Sequence, residues 1–166
     1  MILFKEFIIK RSAIIILVLL SGCSNQKRMK LELPVNLNVI NLDNAIMMED
    51  VLSKKTKVVA FFRGNYSFST VLPIYKSFIG KYDNIGFVFY INYKDDANAI
   101  EYLQRNEIFY PVFDDPKDSF LRANPSAINQ QNTFMGFIIN SENEILEATN
   151  PSLKGFGEKL SKLNRK

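Results

Sequence analysis

The sequence predicts an α/β fold, a three-layer sandwich in which helices cover both faces of a mixed sheet. Short apolar runs alternate with amphipathic segments of helical length from about residue 35 to residue 163. Residues 85–91 are apolar throughout, as is typical of a strand covered on both faces. Near the C-terminus two runs are separated by only three residues, which indicates an antiparallel hairpin. Strand–helix alternation followed by a hairpin and a closing helix therefore predicts this architecture.

The first predicted elements are an edge strand and a short helix. Residues 36–41 alternate between polar and apolar side chains, which predicts a strand with Val35 on its inner face. Asp43 is predicted to cap a helix that reaches about residue 53, and the helical spacing turns Ile46 and Met47 inward.

The centre of the domain is predicted to be a strand–helix–strand unit. Residues 57–62 form the first central strand, and the loop 63–66 leads into a helix over about 67–80. Pro73 falls inside this helix, where it kinks the helix or marks its first turns. Residues 85–91 form the second central strand.

The second half of the domain continues the alternation. Asp95 or Asp96 is predicted to cap a helix, and residues 109–113 read as a short strand or extended stretch. Residues 116–123 are predicted to form one or two helical turns. Helical spacing predicts that Ile100 belongs to the apolar stripe of the preceding helix.

The C-terminal third is predicted to hold a hairpin and a closing helix. The two strands cover residues 134–140 and 144–148. Asn150 and Pro151 resemble a helix cap followed by a proline in the first turn. Leu153 is predicted to begin the apolar stripe of the closing helix.

Composition excludes several kinds of active site. The chain has one cysteine and no histidine, and the cysteine is Cys23. Histidine is the commonest general base and metal ligand. A Ser–His triad, a Cys–His pair and a typical zinc site need histidine or several cysteines, so the composition excludes all three. We therefore expect no metal and no cofactor. We also expect no nucleic-acid partner, because the sequence has no basic stripe interleaved with aromatic residues.

The N-terminus has the pattern of a bacterial lipoprotein signal. Three basic residues precede the apolar run 12–20, which is too short to span a membrane. The run ends in Leu20-Ser21-Gly22-Cys23, which resembles a lipobox. The resemblance implies cleavage before Cys23 and attachment of acyl chains such as palmitate to that cysteine, which hold the protein to a membrane.

These features give the predicted domain organisation and location. Residues 1–22 are the lipoprotein signal peptide, residues 23–33 a lipidated tether, and residues 34–166 the folded domain. In lipoproteins an aspartate after the cysteine favours retention in the inner membrane, and here Ser24 follows it. We therefore expect a lipid-anchored protein of the cell envelope, on the outer membrane facing the periplasm if the cell is Gram-negative.

The order of elements resembles the thioredoxin-like fold, in the version shared by periplasmic thiol reductases and peroxiredoxins. The matching stretches are the strand 58–62, the loop and helix that contain Pro73, the segment 110–116, and the hairpin formed by 137–140 and 144–146. The resemblance covers about residues 35 to 163. It implies that the family's thiol chemistry would occur where the first central strand meets the next helix.

The sequence lacks the family's catalytic thiols in every alignment. Aligned on the helix proline, the two cysteines of a CxxC motif fall at Asn65 and Phe68. Aligned on the strand, they fall at Tyr66 and Ser69. A hydroxyl cannot replace the thiol, because it has a far higher pKa and no disulfide state.

The peroxiredoxin alignment and the substrate-binding proline give the same result. That alignment places Ser67 at the family's threonine and Thr70 at the peroxidatic cysteine. The family's cis-proline, which precedes the hairpin, falls near Phe134. Both catalytic elements of the family are therefore absent from the sequence.

The function predicted from these residues is binding or scaffolding of a protein or peptide in the cell envelope by a redox-inactive domain. Arg63 lies at the rim of the former active site and is suited to bind an anion or to form a salt bridge. Tyr66 and Phe68 either dock a peptide or fill the space of the missing cysteines. The alternatives are a thiol-disulfide oxidoreductase or peroxiredoxin-related enzyme that works with a partner's cysteines, and a non-redox enzyme.

Acidic residues offer the material for that last alternative. Asp114, Asp115 and Asp118 carry oxygen ligands suited to a hard cation. The sequence Asp-Asp-Pro is also typical of a turn with capping aspartates, and we favour that interpretation.

Overall fold

The computed structural model describes residues 28–43, 45–93, 96–128 and 136–165. Its centre is a six-stranded sheet with the strand order β1-β4-β3-β2-β5-β6. Strand β2 pairs in parallel with β3, and β3 pairs in parallel with β4, whereas the other pairs are antiparallel. The strands are β1 (Asn38–Ile40), β2 (Thr56–Arg63), β3 (Ile85–Asn92), β4 (Val112–Asp114), β5 (Gly136–Ile139) and β6 (Ile145–Thr149).

Six helices connect or flank these strands in the described part of the chain. They are α1 (Met48–Ser53), α2 (Gly64–Lys76), α3 (Asp96–Arg105), α4 (Ser119–Ala123), α5 (Pro125–Ile128) and α6 (Phe156–Asn164). The predicted alternation of strands and helices is therefore confirmed, as are the hairpin and the closing helix.

Apolar side chains cover the sheet on both faces. On one face the Tyr75 ring of α2 packs against Phe62 and Phe89, with ring centroids 6.2 and 5.3 Å away. On the other face the Phe120 ring of α4 stacks on Tyr90 with a centroid separation of 4.6 Å. Successive strand residues point to opposite faces, so Phe61, which stacks on Phe120, belongs to this second face.

The central helix starts earlier than predicted. Helix α2 begins at Gly64, directly after the last residue of β2, whereas the sequence predicted a loop over 63–66. It ends at Lys76 rather than near residue 80, where Gly80 adopts a φ of +79°. Pro73 lies inside α2 and not in its first turn.

The N-terminal predictions were partly wrong. Strand β1 is an edge strand as predicted, but Ile40 faces the core while Val35 is 51% exposed. Helix α1 begins at Met48, so Asp43 does not cap it. Ile46 and Met47 precede the helix and are exposed, because the helical spacing that turned them inward does not apply there.

Other differences lie in the second half of the chain. Strand β4 is limited to Val112–Asp114, and α4 begins three residues after Pro116. The Asn150 side chain accepts a hydrogen bond from the Ser152 N–H at 2.9 Å, which forms a turn rather than a helix cap. Helix α6 starts only after Gly155, so Leu153 is exposed, and Ile100 on α3 is also exposed.

Helix α3 begins at Asp96, close to the predicted caps. Asp95 and the side chain of Asp96 lie outside the described residues. Among the residues that are described, no helix is both long and apolar enough to cross a membrane.

Candidate functional site

The carboxyl ends of the parallel strands carry a polar network. Arg63 and Asn92 are the last residues of β2 and β3 and pair with each other in the parallel register. The Arg63 Nη2 atom donates to Asp118 Oδ2 at 2.9 Å, and the Asn92 side-chain amide donates to Asp118 Oδ1. The three side chains therefore tie the ends of two central strands to the segment that enters α4.

A buried carboxylate holds that segment in place. Asp115 is fully buried, and its two oxygens accept the backbone N–H groups of Ser119 at 2.6 Å and Phe120 at 2.9 Å. The Asp115 N–H in turn donates to the Ile91 carbonyl at 2.8 Å. Asp118 adopts a left-handed φ of 54°, a conformation that aspartate tolerates better than most residues. The Asp115 carboxylate thus fixes the turn that presents Asp118.

The carboxylates of Asp115 and Asp118 are directed at different partners. The hydrogen bonds of Asp115 go to the first turn of α4, whereas those of Asp118 go to Arg63 and Asn92. This supports the turn with a capping aspartate that the sequence favoured over a cation site. Within the described part of the chain, no group of three acidic, cysteine or histidine residues is arranged to hold a metal ion.

We call Arg63, Asn92 and Asp118 the Arg63 network. Its members differ in their exposure to solvent. The side chain of Arg63 is 67% exposed and that of Asp118 is 21% exposed. A surface ion pair of this kind contributes at most about 1 kcal/mol to folding. The network is therefore a polar rim accessible from solvent and not a structural centre of the fold.

The other predicted site residues lie in the first turns of α2. Asn65, Tyr66, Ser67 and Phe68 follow Arg63 directly in that helix, and their side chains lie outside the described residues. The same holds for the whole of Cys23 and Phe134.

Two further predicted residues are visible on the same helix. Ser69 and Thr70 are both exposed on α2. The Ser69 carbonyl accepts a 3.0 Å hydrogen bond from the Tyr102 hydroxyl on α3. The first turns of α2 are thereby tied to α3. Among the described residues every peptide bond is trans.

Sequence reasoning missed Asn92 entirely and considered Asp118 only as a cation ligand. Asn92 is the one polar residue at the end of the otherwise apolar strand β3. Ligands of open α/β sheets bind beyond the carboxyl ends of the strands, so this position was a recognisable signal.

Two tyrosine hydroxyls are buried in the core, one on each face of the sheet. The hydroxyls of Tyr75 and Tyr90 are buried, and among the described residues neither has a hydrogen-bond partner. Burial raises the pKa of both, and the charge of Asp115 raises the pKa of Tyr90 further. Both tyrosines therefore remain neutral, and their rings act as apolar packing.

A cleft of about 360 Å³ lies at the other end of the sheet. It opens between α1 and the connection that precedes β3, and its lining includes Asp50, Lys54, Asp83 and Tyr110. The Lys54 carbonyl accepts a 3.1 Å hydrogen bond from the amine of buried Lys57, whose pKa is lowered by burial. The cleft thus lies away from the Arg63 network, at the start of β2 and β3.

Comparison with solved structures supports the predicted fold. A thioredoxin-like protein solved in its oxidised form superposes with a TM-score of 0.62 at 14% identity, over 86% of this chain and 98% of that chain. A thiol:disulfide interchange protein of the thioredoxin family from Chlorobium tepidum gives 0.56 at 15% identity, over 85% and 99%. A mutant of PrxQ from Xylella fastidiosa gives 0.52 at 14% identity, over 87% and 98%.

No family model matches the sequence, and no curated protein matches it either. The structural likeness shows that the chain has a thioredoxin-like α/β fold with a mixed six-stranded sheet. Identities of this size establish the fold and leave the activity to be argued from the residues themselves.

Proposed function

We propose that this protein is a lipid-anchored protein of the bacterial cell envelope whose thioredoxin-like domain binds a protein or peptide partner without thiol chemistry. Lipidation of Cys23 would supply the anchor, and the face around the Arg63 network would supply the binding surface. The lipobox at residues 20–23 supports the first part of the proposal.

The residue inventory supports binding over thiol exchange. Exchange proceeds by attack of a thiolate on a disulfide, so it needs at least one free cysteine. The chain contains one cysteine, and acylation of Cys23 would consume its sulfur. Histidine is absent, so the chain also lacks the commonest partner of a catalytic hydroxyl.

The single observation that carries the proposal is the Arg63 network itself. Arg63, Asn92 and Asp118 occupy the carboxyl ends of the central strands, where ligands of this class of sheet bind. Their mutual hydrogen bonds fix the rim before a partner arrives, which lowers the entropic cost of binding. The arginine remains 67% exposed, so its charge is accessible to a partner.

The residue types around the network are those that dominate protein interfaces. Arginine and tyrosine are enriched among the residues that contribute most to binding energy. Arg63 ends β2, and Tyr66 and Phe68 follow within the first turns of α2. A peptide segment that combines a carboxylate with an apolar side chain suits an exposed arginine that two aromatic residues follow in the sequence.

Site-specific photo-crosslinking in the native envelope tests this proposal. A photo-reactive amino acid at position 68 should capture a defined partner, and the same amino acid at exposed Lys55, at the opposite end of the sheet, should not. The adduct should form equally in the presence of a reducing agent. A partner that is captured at position 55 only, or that is lost on reduction, would contradict the proposal.

A further inference from the structure

The N-terminal segment joins the folded domain at one identifiable place. Lys30 forms an isolated antiparallel bridge with Glu144. The Ile145 N–H donates to the Met29 carbonyl at 2.8 Å, and the Leu31 N–H donates to the Asn143 carbonyl at 2.9 Å. The polypeptide therefore enters the domain beside the β5–β6 hairpin.

This attachment limits how far the hairpin can lie from the predicted anchor. From Cys23 to Met29 the chain advances by about six residues, and an extended residue spans at most about 3.5 Å. The hairpin is thus within about 20 Å of an acyl-modified Cys23.

The hairpin lies at the end of the sheet opposite to the Arg63 network. Ile139, the last residue of β5, pairs with Lys57 near the start of β2, whereas Arg63 is the last residue of β2. A strand rises about 3.3 Å per residue, so these two levels are separated by about 20 Å. An anchor close to the hairpin therefore leaves the Arg63 network on the distal side.

Basic side chains gather at the hairpin end. Asn164, at the end of α6, accepts a 3.0 Å hydrogen bond from the Asn84 N–H just before β3, which brings the C-terminus of α6 to the same end. Exposed or half-buried cations there are Arg28, Lys30, Lys54, Lys55, Lys81, Lys162 and Arg165, against the acidic residues Asp50, Asp83, Glu142 and Glu144. We call this set of residues the basal surface.

The basal surface retains an excess of positive charge after its internal pairing. Lys30 forms an ion pair with Glu142 at 3.5 Å. Lys55, Lys162 and Arg165 are exposed and form no ion pair with any described residue. Anionic headgroups attract such clusters over roughly one Debye length, about 10 Å at moderate salt.

We infer that the basal surface docks on an anionic lipid surface and orients the anchored domain, so that the Arg63 network faces away from the membrane. The inference rests on the proposed lipidation of Cys23. The tether brings the hairpin end close to the bilayer, and the charge of the basal surface selects that end over the sides of the domain.

The test uses the full lipidated protein, reconstituted in vesicles that carry a headgroup-linked quencher. Acylated Cys23 has no thiol, so an introduced cysteine is a unique labelling site. Ser141→Cys places a fluorophore on the exposed hairpin turn, and Lys117→Cys places it beside Asp118. In vesicles rich in phosphatidylglycerol we expect severalfold stronger quenching at position 141 than at position 117. In phosphatidylcholine, or at 1 M salt where screening shortens to about 3 Å, the difference should fall to the smaller value that the tether alone imposes.

Charge reversal supplies the matched control. Lys55→Glu with Lys162→Glu should reduce the difference in anionic vesicles to the phosphatidylcholine value, whereas Lys117→Glu should leave the quenching at position 141 unchanged in the Ser141→Cys protein. Equal quenching at both positions, or a difference insensitive to lipid charge, would overturn the inference while leaving the anchor intact. A wild-type protein that does not float with vesicles would instead overturn the anchor, and the inference with it.

Discussion

Removal of the buried Asp115 carboxylate should destabilise the domain about twice as much as removal of the neighbouring Asp118 carboxylate. In Asp115→Ala the N–H groups of Ser119 and Phe120 lose their acceptors inside the protein. Each unpaired buried group costs about 1–3 kcal/mol, so we expect a loss of about 4 kcal/mol in the free energy of unfolding. Asp115→Asn keeps one acceptor oxygen and should lose about half as much.

Asp118→Ala is the matched control, because it removes a carboxylate three residues away. Its ion pair with Arg63 is partly exposed, and alanine at the left-handed φ of 54° adds about 1 kcal/mol of strain, so the expected loss is about 2 kcal/mol or less. Urea unfolding followed by far-UV circular dichroism measures all variants, since the chain has no tryptophan for fluorescence. The chain from residue 23 onward, with Cys23→Ser in every variant, keeps acylation out of the comparison.

The relative losses in the free energy of unfolding of the three variants test this prediction. Equal losses for Asp115→Ala and Asp118→Ala would refute the claim that the buried carboxylate organises the turn. A loss below about 1 kcal/mol for Asp115→Ala would show that the two N–H groups find other acceptors.

Three further predictions concern packing and pH. Gly86→Ala should cost about 3 kcal/mol, because the added Cβ would lie 2.3 Å from the Val51 carbonyl oxygen, whereas Gly80→Ala, with open space but a φ of +79°, should cost about 1 kcal/mol. Thermal unfolding measures both. Tyr75→Phe removes a buried hydroxyl that has no partner among the described residues, and it should raise the stability by about 1 kcal/mol in the same assay. A clear loss would show that the hydroxyl is bonded. Burial raises the pKa of Tyr110 from 10.0 to about 12. Because the folded-state pKa is the higher one, this stabilisation is complete below pH 10 and is lost as the pH rises towards 12, by about 3 kcal/mol. Urea unfolding at pH 9 and 12 measures the loss, which Tyr110→Phe should reduce.

The architecture was predictable from the sequence because the central strands are apolar and bounded by clear breaks. The continuous run at residues 85–91 is typical of a strand covered on both faces, and the structure places it in the middle of the sheet. The separation of three residues in the hairpin admits only an antiparallel pairing, which the structure also has.

Individual inward and outward positions were less predictable. Leu153 fits the helical spacing of α6, but the turn formed by Asn150 delays the helix and leaves Leu153 63% exposed. Ile46 and Met47 fit the spacing of α1 and lie before its start. Periodicity identifies a face only once the element boundary is known, and boundaries depend on local hydrogen bonds that the spacing does not encode.

The candidate site was predictable in position but not in composition. Arg63 was singled out because it follows the predicted first central strand, and the structure makes it the last residue of β2. Asn92 and Asp118 come from other parts of the chain, and only the parallel register and the Asp115 turn bring them to Arg63. Such convergence is a property of tertiary structure, which a linear motif does not contain.

The most direct test of the central claim uses the partner that the crosslink identifies, purified in its free form. The measurement is its affinity for the mature protein under reducing conditions. We expect Arg63→Ala to weaken binding by about tenfold or more, as the loss of an interface arginine typically does, and Lys55→Ala to leave it unchanged. Binding that disappears in reducing buffer, or that is indifferent to Arg63→Ala and sensitive to Lys55→Ala, would contradict a thiol-independent binding function at the carboxyl ends of the central strands.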